Sequence, residues 1–289
     1  MPNSKIIGIV LVRNEDRFLA AVLHNISEFC DRIIIADHLS EDGTAEIARR
    51  FCAENAKGTY HRIRRPGVSH DLIKKYAGDN AWVFGVDGDE LYDPEGLAVL
   101  RRQLLSGRYD RFWLLFGNVI NCTGVDYAAG TACGYAAPPC RSMTKLYNFK
   151  AIRSWNGNCP ERLHGGEIIF RPGYDRSMYY DIYKEIAWDE AVFRCLHLCF
   201  LSRSTLDKGT DGTLVIRRNI ADCMSENLVQ RVISLIRGYF GLLKTPQLKQ
   251  EKYMRGKLVQ VDVRSFLPRT FGRASSVRLA DAGKGRKKS

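Results

Sequence analysis

The run Ile6-Ile7-Gly8-Ile9-Val10-Leu11-Val12 carries no polar side chain. A strand of this kind is covered on both faces, and strands covered on both faces belong to the parallel sheets of α/β proteins. The next segments keep a matching rhythm. Arg17 to Phe29 has helical spacing, with Phe18, Val22 and Ile26 on one face. Arg32 to Ala36 reads as a second strand, Ala45 to Cys52 as a helix, Thr59 to Ile63 as a weaker strand, Asp71 to Ala77 as a helix and Trp82 to Val86 as a fourth strand. Asp93-Pro94-Glu95 supplies a cap residue, a proline for the first turn and an acid near the positive end of the dipole, so a helix is expected from there to about Leu105. Arg111 to Phe116 is a fifth strand. Strand and helix in alternation predict a mostly parallel central sheet flanked by helices.

Chemistry concentrates where these strands end. The fourth runs directly into Asp87-Gly88-Asp89-Glu90. A strand that ends in carboxylates aims them at the carboxyl edge of the sheet, where ligands of open α/β sheets bind. Two aspartates one residue apart suit Mn²⁺ or Mg²⁺, cations that take carboxylate and phosphate oxygens.

The rhythm stops after residue 116. Asn118 to Cys140 is rich in Gly, Ala, Pro and Cys without a period, and reads as a long loop of the functional kind. Lys145 to Phe149 and Phe193 to Leu201 read as strands. Val215 to Leu243 has helical spacing, with Leu228, Val232, Leu235, Tyr239 and Leu242 in one stripe. The expected organisation is one α/β domain over 1–204 (a regular first half over 1–116 and an irregular second half over 117–204), a helical C-terminal extension over 205–263, and a basic, flexible tail over 264–289. Arg264 to Ser289 holds eight basic residues and one acidic, so most of the net charge of +12 lies there. That pattern argues against a uniformly basic nucleic-acid binder. It fits a domain whose tail could meet an anionic membrane surface. The nine cysteines are odd in number and form no Cys-x-x-Cys pair, as expected of reduced core thiols. The N-terminus passes straight into a strand, so no secretory leader is expected, and no apolar run approaches the ~20 residues of a membrane span. A cytoplasmic protein, peripheral at the inner face of the plasma membrane, is the expectation.

Val12-Arg13-Asn14-Glu15 at the end of the first strand, Asp37-x-x-Ser40-x-Asp42-Gly43-Thr44 at the end of the second and Asp87-Gly88-Asp89-Glu90 at the end of the fourth together resemble the family 2 glycosyltransferases. Their fold is the nucleotide-diphospho-sugar transferase fold, GT-A. Thr144-Lys145-Leu146-Tyr147, Glu161-Arg162-Leu163-His164 and Leu196-His197 are similar, more loosely, to a subgroup that builds lipopolysaccharide cores and other bacterial surface glycans. In that subgroup the middle element is a His-Glu pair, so the present Glu-Arg-Leu-His departs from it.

The resemblance implies roles. Asp89 becomes the metal ligand, with Asp87 sharing the metal or reaching the ribose beside Gly88. Asp37 would hydrogen-bond the nucleotide base, although Asp42 fits a helix cap. Val12, Arg13, Asn14 and Glu15 would flank the nucleotide, with Lys74, Lys145 and His164 as further nucleotide or diphosphate contacts. His197 would be a metal ligand or a diphosphate contact, or else a core histidine. The general base should be a carboxylate near the acceptor, and Glu161 is the first choice, with Asp189 or Glu190 as rivals. The donor would be a nucleotide-diphosphate sugar, UDP-linked by family preference, and the acceptor a saccharide or a lipid-linked one. A nucleotidyltransferase is the alternative enzyme, although it would want a Gly-rich basic signature after the first strand. A non-catalytic module binding anionic membrane or nucleic acid through its tail is the alternative of another class.

Overall fold

The computed structural model describes residues 4–140, 145–156, 163, 165–207 and 253–266. The first half builds as its apolar pattern dictates. Strands β1 (Lys5–Val12), β2 (Arg32–Asp37), β3 (Gly58–Arg62) and β4 (Ala81–Asp87) alternate with helices α1 (Leu19–Ser27), α2 (Thr44–Glu54) and the short α3 (Val68–Asp71). β1 pairs in parallel with both β2 and β4, and seven of its eight residues are buried. The helix expected over Asp71 to Ala77 is a single 3-10 turn at Lys74–Tyr76. β5 (Glu90–Tyr92), helix α4 (Pro94–Leu105) and β6 (Leu114–Phe116) follow. β6 is shorter than the sequence suggests.

The largest departure comes next. Asn118 to Cys140 is a hairpin of β7 (Asn118–Asp126) and β8 (Thr131–Ala136), not a loop. β9 (Lys145–Asn148) then inserts antiparallel between β4 and β6. β10 (Ile152–Asn156) and β11 (Glu167–Phe170) make a separate two-stranded sheet. β12 (Tyr179–Asp181), helix α5 (Ile182–Glu185), β13 (Arg194–His197) and β14 (Leu258–Asp262) complete the described elements.

The central sheet has seven strands in the order β12-β6-β9-β4-β1-β2-β3, parallel but for β9. A second sheet of five has the order β14-β8-β7-β13-β5. Its last two strands matter for function. β5 leaves β4 through the turn Gly88-Asp89, and β13 pairs with it antiparallel, His197 opposite Glu90. The second sheet is therefore stitched to the carboxyl edge of the first at the acidic turn. β14 lies in the stretch expected to be a helical extension, and it pairs with β8 instead. The amphipathic stripe of Val215 to Leu243 and nearly all of the basic tail lie outside the described residues.

One core runs between the layers, with Trp82, Phe84, Tyr92, Phe149 and Phe193 among its largest buried side chains. Phe84 packs edge-on against Tyr92, with ring centres 4.7 Å apart. Seven cysteines fall within the described residues and all are free thiols. Burial pushes the Cys30 thiol up to about 12, which keeps it protonated. Among the described residues no helix is long and apolar enough to cross a membrane.

Candidate active site

Register brings the strand ends together. Val12 lies opposite Asp37, and Leu11 opposite Asp87, so the polar residues after β1, β2 and β4 share one edge. The first two loops are laced by their own motif residues. Ser40 Oγ accepts the Asn14 N–H at 3.0 Å, Asn14 Oδ1 accepts the Glu41 N–H at 2.8 Å, and Thr44 Oγ1 accepts the Glu15 N–H at 2.7 Å. Asn14 adopts a left-handed conformation (φ 53°), which asparagine tolerates and which lets the chain fold back here. Asp42 Oδ1 accepts the Thr44 N–H at 3.0 Å at the start of α2.

Asp37 is wholly buried. One carboxylate oxygen accepts the Ser40 N–H at 3.0 Å and the other the Tyr60 hydroxyl at 2.7 Å. Asp37, expected to hydrogen-bond a nucleotide base, here fastens its turn from within. Burial, with Asp37 behind it, pushes the Tyr60 hydroxyl up to about 12. Arg13 reaches His38, with Nη1 to Nδ1 at 3.4 Å. The other ring nitrogen of His38 lies 3.1 Å from the Arg64 carbonyl and must donate to it, so Nδ1 is the acceptor facing Arg13. Burial and the Arg13 charge lower the pKa of His38, favouring this neutral ring.

The acidic turn gathers the strongest site. One ligand atom each from Asp87, Asp89 and His197 lies within 4.8 Å of the others. Asp89 has no exposed surface, and among the described residues its Oδ1 finds no hydrogen-bond partner. A buried carboxylate oxygen without a donor is costly. A divalent cation would satisfy it, and two carboxylates with one imidazole suit Mn²⁺. His197 is aimed at the same point, its Nε2 3.7 Å from Asp89 Oδ1.

Asn121 decides the tautomer. Its Nδ2 donates to the Tyr253 carbonyl at 3.4 Å, so its Oδ1 faces His197 Nδ1 at 2.9 Å and must accept from it. The proton sits on Nδ1, and Nε2 faces Asp89. Outer contacts of this kind orient metal-binding histidines. Tyr253 packs its ring edge-on to His197 at 5.3 Å.

Behind the turn, Glu90 Oε2 accepts the Asp87 N–H at 2.9 Å and the Tyr92 hydroxyl at 2.7 Å. Gly88 admits no side chain: a Cβ there would lie 2.0 Å from Glu15 Oε2 and 2.8 Å from Val12 Cγ1. Glu15, expected to flank a nucleotide, is buried instead against Arg203, whose Nη1 meets Glu15 Oε1 at 3.0 Å and Asp89 Oδ2 at 2.7 Å.

The remaining expected residues divide. Lys145 starts β9 opposite Gly85 and Phe116, at the site's edge of the sheet. Lys74 is not gathered in. It pairs with Asp71 at 2.6 Å on the exposed surface, because the chain there is returning to the amino end of β4. Asp189 is exposed before β13, the end of the strand opposite His197, where neighbouring Trp188 stacks on Phe266. That position removes Asp189 from the cluster. Glu161 and His164 lie outside the described residues. Arg203 and Asn121 had no local signal in the sequence, since their partners are 114 and 76 residues away.

The model of glycosyl transferase family 2 matches residues 9–177, more than half of the chain. No curated protein matches. Among solved structures, S. aureus TarS 1-349 is similar at 17% identity over 50% of this chain and 47% of its own, with a TM-score of 0.36. The mannosyltransferase PcManGT from Pyrobaculum calidifontis, in complex with GDP-Man and Mn²⁺, aligns at 17% identity over 50% and 44%, with a TM-score of 0.31. Glucosyl-3-phosphoglycerate synthase from Mycobacterium tuberculosis, in complex with Mn²⁺, UDP-Glc and phosphoglyceric acid, aligns at 19% identity over 51% and 58%, with a TM-score of 0.35. The aligned part spans about half the length of each. With an acidic turn at the end of β4 and a match across both halves of the central sheet, this chain belongs to glycosyl transferase family 2.

Proposed function

We propose that this glycosyltransferase moves a sugar from a nucleotide-diphosphate donor, UDP-linked in the first instance, to a saccharide or lipid-linked acceptor of a bacterial surface glycan, and that it does so with a divalent cation held by Asp87, Asp89 and His197. The single observation that carries the reading is the buried Asp89 Oδ1, without a hydrogen-bond donor among the described residues, inside a three-ligand group at the carboxyl edge. When bound there, Mn²⁺ or Mg²⁺ would supply Lewis-acid neutralisation of the leaving diphosphate. The chain's own part is to orient. Asn121 keeps the Nδ1 proton on His197, Glu90 pins the Asp87 backbone, and Gly88 leaves room beside Val12 and Glu15. Arg13, Asn14 and Lys145 border the space a nucleotide would fill. Glu161 is proposed as the general base for the acceptor hydroxyl. The basic stretch Arg264–Ser289 supports docking at an anionic leaflet. Liposome binding that survives its removal would reject that part.

The experiment is calorimetric titration of UDP and GDP, with and without Mn²⁺, on the wild type and Asp89→Ala. The expected result is binding of one nucleotide that requires both Mn²⁺ and Asp89. No binding under any condition rejects the proposal.

A further inference from the structure

Arg203 is unusual for its position. Its side chain is 11% exposed, and its Nη1 donates to two buried carboxylates, Asp89 Oδ2 at 2.7 Å and Glu15 Oε1 at 3.0 Å. The Arg203 Nε is buried without a hydrogen-bond partner among the described residues. Planar guanidinium forks are usually held by paired contacts. Here a single terminal nitrogen serves both acids.

The residue is not free to leave. It sits in the segment Leu198–Asp207, which lies across the ends of β1, β2 and β4. The Leu198 N–H donates to the Asp89 carbonyl at 2.8 Å, and the Arg203 carbonyl accepts the Arg17 N–H at 3.0 Å. Ser204 Oγ donates to Asp42 Oδ2 at 2.5 Å, and Thr205 Oγ1 to Asp16 Oδ2 at 2.6 Å. Asp207 Oδ2 accepts the Arg203 and Ser204 N–H groups at 2.8 and 3.0 Å. The two loops that form the carboxyl edge therefore hold the strap, and the strap holds the guanidinium over the acidic turn.

Asp89 is thus divided. Oδ2 belongs to Arg203, and Oδ1 faces His197 Nε2 in the three-ligand group. A fixed positive charge that shares a carboxylate with a cation site opposes the cation. The same charge answers the buried acids when no cation is present, and a buried acid stripped of its partner is strongly destabilising.

We propose that Arg203 is a built-in counter-ion of the cation site: it balances Asp89 and Glu15 in the cation-free protein and holds the affinity for a lone divalent cation down, so that the cation binds firmly only when a diphosphate brings further negative charge. The inference rests on the cation site proposed above. Arg203 acts through Asp89 and is a positioning residue.

The test is electron paramagnetic resonance titration of free Mn²⁺ against the full chain without nucleotide, on the wild type, Arg203→Gln, Arg203→Lys and Asp89→Ala, with a second titration of the wild type in the presence of UDP. Arg203→Gln should bind Mn²⁺ about tenfold or more tightly than the wild type. Arg203→Lys, which keeps the charge, should stay within a few-fold of the wild type. Mn²⁺ should also raise the melting temperature of Arg203→Gln more than that of the wild type. Equal or weaker Mn²⁺ binding by folded Arg203→Gln overturns the counter-ion. Should Arg203→Gln not fold, Glu15→Gln decides: with Glu15 neutral the Arg203 charge falls on Asp89 alone, so Mn²⁺ affinity should drop several-fold, and unchanged affinity overturns the proposal. A wild type that binds no Mn²⁺ with or without nucleotide rejects the cation site itself. Wild-type binding that is lost in Asp89→Ala but unmoved by Arg203→Gln rejects only the role of Arg203.

Discussion

At the residue scale the site depends on what packs behind the gathered groups. Gly88 is the sharpest case. The pair Asp87 and Asp89 needs one residue between them, and the space beside it is already taken by the Glu15 carboxylate and Val12. Gly88→Ala should displace the turn, cost about 1–3 kcal/mol in urea unfolding and weaken Mn²⁺-dependent nucleotide binding. A variant with wild-type stability and binding would show that the turn has slack. Asn121 is the second case. Asn121→Leu keeps the branched shape and removes the acceptor for the His197 Nδ1 proton, so Mn²⁺ affinity in the presence of nucleotide should fall roughly 10- to 100-fold while the circular dichroism is retained. Unchanged affinity would mean that His197 needs no orienting partner. That Asp87, Asp89 and His197 were candidates for one group was legible in the sequence: Asp87 and Asp89 from the strand that precedes them, and His197 from its resemblance to a closing Leu-His pair. Asp37 and Glu15 were legible as site residues but not in their roles, because burial and partners are properties of the folded edge. Arg203 and Asn121 were invisible, because only the stitching of β13 to β5 and β7 brings them there.

At the element scale β1, β2 and β4 followed from their apolar runs alone, since parallel strands buried on both faces leave such a run unbroken. The β7–β8 hairpin did not. Its residues are small and mixed, both faces of β7 are covered, and the register shifts between Cys122 and Gly124, so no alternation survives to be read. What ties the well-read elements together is Asp31, just before β2. Its Oδ2 accepts the Ile6 N–H of β1 at 2.8 Å, and Arg101 of α4 donates to its Oδ1 at 2.5 Å. Burial alone would push the Asp31 carboxyl up, but Arg101 and the Ile6 N–H outweigh it and hold it below the ordinary 3.8. A depressed carboxylate contributes stability that is present above its unfolded value and lost as the pH falls through the folded one. Asp31→Asn should therefore be less stable than the wild type at neutral pH, and the gap should close as the pH is taken below 3.8. Chemical denaturation at a series of pH values checks this, and a gap independent of pH would place the stabilisation elsewhere.

At the scale of the whole molecule the described C-terminal residues, 253–266, are structural. Sequence periodicity read residues 205–263 as a helical extension outside the catalytic domain. The described part of that stretch instead contributes β14, the edge strand against β8, and leads into Val263 and Phe266, both buried in the common core. An edge strand of five residues whose burial alternates between exposed and half-buried leaves little hydrophobic signal, so sequence could not assign it to a sheet begun more than a hundred residues earlier. Phe266 stacks on Trp188 at 5.9 Å, and the Arg194 guanidinium lies 5.4 Å from its ring while pairing with Asp93 at the head of α4. The end of the described chain thus closes the layer that carries β13, and β13 carries His197. Phe266→Ala removes a buried aromatic from that closure, a change worth about 3–5 kcal/mol in a well-packed core. In a domain of this size that corresponds to a fall in melting temperature of roughly 10 °C. If β14 and Phe266 support the site through β13, the variant should also lose Mn²⁺-dependent nucleotide binding at temperatures where it remains folded. A melting temperature within a degree or so of the wild type would show instead that the second sheet closes without its C-terminal strand, and that the site rests on β5, β7 and β13 alone.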